Sequence, residues 1–489
     1  MNWKRKLQYD DGNILIMSVV IAVLLFATAF GYMKWASDER WDTAYEQATV
    51  QAYFLAQTGL IERGYLYLRT RKPSELPTAT VYLPAGNVED VGSHYNNKVV
   101  IVQTMGDQNL FQRTDTYDLY STGRAEFVNH QLGNRNYGEP VRIERTAKMR
   151  TKLRSFSNYM YLTHFEETRF NETIWFWGRD TLYGRVHSND WIGIKGRPVF
   201  YGPVSTSKND FIRGPDYNPH FEFPPKFGVP EVYFPKQAET LRSNSTIWID
   251  DDNGALMTRV WLKGEHGIYI YQYILGSIEP DLYNPTEGIV FERTEHVQSW
   301  GAIFVDGQCE IYGEHAGKLT IGSSGNMWLV DNIRYVGANE DDGHIGDNSP
   351  QAQLNFPNML GLVSESNIII KDNFQNGRAN SSEGNDIIIN AGLVALGESF
   401  TFEHQNDDWD LYQGTAPDER GDIHLTGAVT QVRRGYVHRS NHDGTGYNKD
   451  YHYDFRFDVT PPPYYLEALD EEGHGLFDVV SWGELGQGD

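Results

Sequence analysis

Residues Ile14 to Met33 form an almost wholly apolar run, the only segment of the 489-residue chain greasy enough to enter a bilayer. As a helix rising about 1.5 Å per residue, the run spans ~30 Å, the thickness of one hydrocarbon core. Lys4, Arg5 and Lys6 precede it, and Trp35 and Trp41 follow. Cations on one flank hold that end in the cytoplasm and send the rest outward, and interfacial aromatics sit where a span leaves the lipid. Helical patterning continues beyond the span. Ala44, Ala48, Ala52, Ala56 and Leu60 make an i, i+4 row of mostly small residues, flanked by Leu55 and Gly59. Arg69, Arg71 and Lys72 suit the negative end of a helix dipole, and Pro73 stops the helix. The pattern predicts one nearly continuous helix from about Ile14 to Arg71, lipid-embedded in its first part and packed on a domain in its second.

Two other readings of the same stretch stand beside an assembly helix. Ala27-Thr28-Ala29 offers an A-x-A site for ordinary signal peptidase, which would leave Phe30 as the first residue. An uncleaved span would be a plain anchor.

The formal charge of −24 excludes the basic footprint that a nucleic-acid binder needs. The single cysteine, Cys309, permits no intrachain disulfide and no cysteine-based zinc site. It lies in the alternating run "AIFVDGQCEIYG" and reads as a small core residue. Aromatics at 13% and 47 glycines point to a strand-rich body with many tight turns.

After Pro73 the period changes to that of strands. "KVVIVQTM", "YDLYSTGRAEFV" and "VRIERTAKMRTKLR" read as a meander. In the last, Val141, Ile143, Ala147, Met149 and Leu153 share one face, and Arg142, Lys148, Arg150, Lys152 and Arg154 the other. From about Thr173 the chain is punctuated by glycine. "GRVHSNDWIGI" (Gly184), "GAIFVDGQCEI" (Gly301) and "GLVALGESFTF" (Gly392) share Val or Ile two residues after Gly and apolar residues at plus eight and plus ten. Gly202 and Gly427 begin partial copies, and Gly361 begins one that fits with a one-residue slip. Short strands returning to one interior predict a parallel β-solenoid. "GANEDDGHIGDNSPQAQ" and "FEHQNDDWDLYQGTAPDERGD" read as loops bulging from its rungs.

The basic leader, Gly12, the apolar run and "QAYFLAQTGLIERGYLYL", with Ala52 to Glu62 resembling an A-x-Y-x-A-E-x-G-I-E segment, together resemble the N-terminus of type IV pilins and pseudopilins. The resemblance covers about the first 70 residues. It implies cleavage by a dedicated peptidase after Gly12, leaving Asn13 as the mature terminus. Major pilins carry Glu at the fifth mature position, which is Met17 here; the departure implies a minor or tip subunit. Asp10 and Asp11 also depart from the usual leader. "DTLYGRVHSNDWIGIKGRPVFYGPVSTS", "GYNKDYHYDFRFDVTPPPYY" and "SWGE", within about Phe165 to Trp482, resemble a bacterial domain family of unknown function often found behind such N-termini.

The expected fold is mainly β with one long N-terminal α-helix: a pilin-like helix and antiparallel meander, then a large right-handed parallel β-solenoid-like domain. The expected organisation is a leader at 1–12, a helix at 13–72 with its membrane part at 14–33, a meander at 73–160 and the solenoid at 161–489. The resemblance implies a bacterial inner-membrane protein with its C-terminal part extracytoplasmic, at the cell surface or in the periplasm after assembly. Its partners would be the bilayer and other pilin-like subunits, met through Ala44, Ala48, Ala52, Ala56, Gly59 and Leu60. A polysaccharide or surface ligand would meet the solenoid, and the role would be adhesion, tip capping or docking.

Chemistry is the rival. Parallel solenoids host glycan-cleaving enzymes, and paired carboxylates can act as acid and base on a sugar. Asp180, His187 and Asp190 form one candidate group, and Asp450, His452 and Asp454 another. Polar turn residues usually bond their own backbone, and Asp450, His452 and Asp454 alternate with Tyr451 and Tyr453 as one face of a strand does. No Gly-x-Ser-x-Gly, His-Glu-x-x-His or phosphate-loop motif occurs, so no enzyme is expected. No cofactor is expected beyond calcium, for which Asp250, Asp252, Asp341, Asp342 and Asp347 are the candidate ligands. Neither acidic stretch completes a twelve-residue calcium loop; the place of its closing Glu is taken by Trp261. The aromatic runs "TIWFWGRD" and "GIYIYQYIL" suit sugar stacking or, more commonly, cross-strand packing.

Overall fold

The computed structural model describes residues 11–88, 93–95, 100–103, 116–168, 170–178, 180–296, 301–377, 384–405, 418–439 and 444–485. The leader through Asp10, with Lys4, Arg5 and Lys6, lies outside them, as do parts of "KVVIVQTM" and residues 406–417 of the second expected loop. The described chain forms two compact units, one of residues 11–152 and 477–485, the other of residues 153–476.

The first unit begins with a helix over Asp11–Thr58. Helical backbone runs on through a π-helical segment, Gly59–Tyr65, into a last α turn, Leu66–Arg69, and Pro73 opens a separate 3-10 turn, Pro73–Glu75. Its most apolar window has a mean hydropathy of 2.7, enough by length and composition to cross a membrane. Large apolar side chains from Ile14 to Trp35 lie open, Phe26 at 77% exposure. Farther along the pattern reverses: Ala48, Leu55, Ala56 and Leu60 are buried, and Ala52 has no exposed surface.

What covers them is an antiparallel sheet whose strand order is Val81–Tyr82, Val100–Gln103, Thr116–Val128, Pro140–Leu153 and Phe477–Glu484. Thr116–Val128 and Pro140–Leu153 pair without a slip from Thr116 opposite Lys152 to Val128 opposite Pro140. Ile143, Ala147, Met149 and Leu153 are buried, so the alternation in that strand sets its faces as expected. The basic face is engaged by acids of the neighbouring strand. Arg150 forms a two-pronged pair with Asp118 at 2.7 and 2.8 Å, Lys148 reaches Asp118 at 3.1 Å, and Arg142 reaches Glu126 at 3.0 Å. The last strand, Phe477–Glu484, lies beside Pro140–Leu153 although the whole second unit intervenes in sequence.

The second unit is built on parallel ladders. One joins Ile247, Ile303, Ile321, Leu362, Leu393, Val429, Tyr161, Val186 and Val204 in successive register. The order is not that of the chain. The first three strands run outward from the middle of the stack; the chain then passes to the far end at Ile247 and winds back until Val429 lies against Tyr161. Thr258, Cys309, Met327, Ile368 and Phe400 make a second ladder. Apart from Ile247, which packs against it half-buried, and Thr258, the residues of both ladders belong to one apolar core. Burying each large aliphatic side chain there is worth roughly 1.5–3 kcal/mol over leaving it exposed. Cys309 has no exposed surface and its thiol is pushed well up by burial, as a core residue's would be.

The glycine pattern marks these rungs with one shift. Val186, Ile303, Val204 and Val429 each follow their glycine by two residues and share the ladder, whereas Gly392 pairs with Gly361 and both place their core residue, Leu393 or Leu362, one position after the glycine. Gly427 has a rung's backbone against it: a Cβ there would come within 1.8 Å of the Ala391 carbonyl oxygen.

Candidate functional site

Two surfaces concentrate functional side chains, one in each unit. In the first, the row of small residues settles how closely helix and sheet approach. Gly123, midway along Thr116–Val128, faces the helix so tightly that a Cβ would lie 2.0 Å from the Ala52 carbonyl oxygen and 2.5 Å from the Ala56 nitrogen. Ala48 and Ala52 pack with Ala125 and Ile143. The π segment buries Gly59, Leu60 and Gly64, an extra residue per turn that keeps the wound chain facing the sheet. Next to the apolar half of the helix, Ser37 Oγ donates to the His130 carbonyl at 3.1 Å and accepts from the Leu132 N–H at 2.7 Å, and Trp41 meets the edge of Phe127 at 6.1 Å.

The stripe assigned to intersubunit contact is therefore covered by this chain's own sheet: Ala48, Ala52, Ala56, Gly59 and Leu60 are buried and Ala44 half-buried. The opposite face carries Tyr45, Val50, Phe54 and Ile61, all exposed. Spacing alone shows that a helix has an apolar face; it does not say which neighbour covers it. Asn13 lies exposed in the first turn of the helix, which begins at Asp11, next to Gly12.

In the second unit Asp180, His187 and Asp190 each have separate partners, and of the other candidate group only Asp450 and His452 stay together. Asp180 accepts from the Trp177 N–H at 2.9 Å and pairs with Lys449 at 3.3 Å. His187 is buried between Ser205, at 2.9 Å, and Asn189, at 3.1 Å; burial lowers its pKa to about 4 and keeps the ring neutral. Asp190 accepts from the Glu166 N–H at 3.1 Å. Asp454 is wholly buried against Arg456, with contacts of 2.6 and 2.9 Å.

Asp450 has different company. His424 Nδ1 lies 2.8 Å from Asp450 Oδ2, His452 Nε2 lies 3.0 Å from Oδ1, and His344 Nε2 lies 3.6 Å from Oδ2. Hydrogen bonds from His424 and then His452 hold the Asp450 carboxyl far below the usual range, and Asp450 in turn raises His424. Parallel register brings this together by placing His424 directly opposite Asp450. Sequence reasoning found Asp450 and His452 by their alternation but missed His344 and His424, which sit on other strands and loops.

The acidic turns use their carboxylates locally. Asp250 accepts from the Asp252 N–H, Asp342 from the His344 N–H, and Asp347 from the Ser349 N–H, at 2.8 to 3.0 Å; the Asp341 N–H donates to Asn339. Trp175, Trp177, Lys195, Tyr436 and Lys449 line a cleft of about 640 Å³ with Asp180 on its wall, a mixture of ring faces and charges suited to a polar ligand. "GIYIYQYIL" forms a strand whose Tyr271 and Tyr273 are buried beside Arg259.

No protein-family model matches the chain, so the resemblance over Phe165 to Trp482 rests on the quoted motifs alone. No curated protein matches it either. Among solved structures, the competence-associated pilin ComZ from Thermus thermophilus aligns over 90% of this chain and 97% of its own, at 12% identity and a TM-score of 0.26.

Proposed function

We propose that the chain is a non-enzymatic, pilin-like subunit of a type IV filament or secretion-type assembly, anchored in the bacterial inner membrane before assembly and displaying its parallel-β unit outside the cytoplasm. The observation that carries this reading is the division of labour along one helix. Its first half presents open apolar side chains over a bilayer's length, and its second half is buried on an antiparallel sheet of the same chain. A signal peptide has no need to continue, in unbroken helix, into the packing of the mature protein. Other pilin-like subunits would meet the exposed Tyr45, Val50, Phe54 and Ile61 face together with the apolar half. The displayed unit would act by contact, in adhesion, tip capping or docking, with a polysaccharide or surface ligand.

The test is the mature N-terminus, read by mass spectrometry from membrane and sheared-filament fractions with and without the prepilin peptidase. A terminus at Asn13 that depends on the peptidase supports the proposal. An intact start leaves a plain anchor, and a terminus at Phe30 makes the segment a discarded signal.

A further inference from the structure

We propose that His344, Asp450 and His452 form a binding site for one nitrogen-preferring divalent cation, with zinc as the ion to test. One ligand atom from each of the three lies within 4.8 Å of the others. Tetrahedral bonds of 2.0–2.1 Å set neighbouring ligand atoms about 3.3 Å apart. His452 Nε2 lies 3.0 Å from Asp450 Oδ1, a contact in which the ion would replace the shared proton, and His344 Nε2 lies 3.6 Å from Asp450 Oδ2, so each imidazole stands near that spacing from one carboxylate oxygen.

His344 supplies the independent argument. Its Nδ1 lies 3.2 Å from Asp342 Oδ2, an acceptor for a ring proton on that nitrogen, which makes Nε2 the nitrogen to offer a metal. That Nε2 is buried without a hydrogen-bond partner and points at a carboxylate oxygen 3.6 Å away. A cation held between the two would coordinate both the imidazole nitrogen and the carboxylate oxygen. The carboxylate–histidine–ion arrangement is one that fixes the tautomer and ring direction of metal ligands.

The surroundings hold the other two ligands in place. His424 bonds Asp450 at 2.8 Å, and Tyr183 stacks on the His452 ring at 5.2 Å and 11°. Asp450 keeps 37% of its side chain open, so water has access to a fourth position. Two imidazoles with one carboxylate favour zinc over calcium, which takes six to eight oxygens. The acidic turns at Asp250 and Asp347 offer no imidazole and are not part of the site.

The experiment uses the full-length chain in detergent, stripped of metal and titrated with zinc against a chromophoric chelator. One zinc per chain is expected at micromolar affinity or better. His344→Gln and His452→Gln should each weaken it at least tenfold, and His220→Gln, on an exposed strand elsewhere, should leave it unchanged. Cobalt should give a visible absorption band that both variants lose. Zinc binding that is unchanged in both variants overturns the proposal, as does calcium binding equally well at these residues. If a variant fails to fold, the unmodified chain decides: no cobalt band and no zinc-dependent rise in Tm overturns it, and both together support it.

Discussion

In the first unit the helix and sheet meet through alanines and a glycine, and the ion pairs, such as Asp118 with Arg150 and Lys148, stand at the sheet's outer face. In the second unit the charges are inside. Arg259 and Glu310 pair with almost no exposed surface, as do Arg434 with Glu166, Arg420 with Asp418 and Arg456 with Asp454. The difference teaches where each is vulnerable. A fit of backbone against backbone fails when an atom is added. A stack that has taken charges out of water fails when one partner is removed, because the other is left buried and unpaired.

The largest expected effect follows from Glu310, which accepts from Arg259 at 2.6 Å and from Lys371 at 2.6 Å. Burial works to raise its carboxyl, but Arg259 and Lys371 outweigh that and hold it below the usual range. Glu310→Ala should cost the second unit about 3–5 kcal/mol, seen by chemical denaturation as a lower midpoint. If the first unit's protection from hydrogen exchange falls equally, the two units do not lose stability separately.

Acid sharpens the same contrast. His187 and His315 are buried neutral in the second unit, each lowered by burial to about 4. An unfolded histidine binds a proton near 6.5, so the unfolded state gains protons first and stability falls as pH drops from 6.5 through 4. Each ring accounts for roughly 3 kcal/mol of that fall. Thermal melts across the window should show the second unit losing Tm, with His187→Gln flattening the slope. A slope unchanged by that variant would reject the assignment.

Gly123→Ala tests the first unit. The new Cβ would overlap the helix backbone at Ala52, and overpacking of this kind costs about 1–3 kcal/mol. Proteolysis should open the chain around Ala48–Leu60 while the second unit's melt stays put. The smallest effect belongs to Ser37→Ala, which removes the bonds to His130 and Leu132 for about 1 kcal/mol, measurable as faster exchange of the Leu132 amide.

Much of this was legible because it is periodic. The helix from Asn13 to Arg69 follows from hydropathy, the i, i+4 row and Pro73, and the parallel rungs follow from recurrent Gly-x-Val. The slip at Gly361 and Gly392 was only half visible, because neighbouring strands fix register and a glycine can occupy either place. The strand Phe477–Glu484 looks like any short strand; that its partner is Pro140–Leu153 leaves no local trace. The site was legible in the same proportion. Asp450 and His452 share one strand and stood out, whereas His344 and His424 reach them only through folding.

That closing strand also orders events in time. Phe477–Glu484 is synthesised after every residue of the second unit, yet it lies at the edge of the sheet on which the long N-terminal helix packs. Glu484 reaches back to Arg145, the Leu485 N–H to Thr146, and Tyr65 to the Phe477 carbonyl. While the ribosome is still making the second unit, the first therefore waits one strand short with an unpaired edge. A chain interrupted anywhere in residues 153–476 lacks the strand that closes this edge, so the sheet is complete only once the second unit has been synthesised in full.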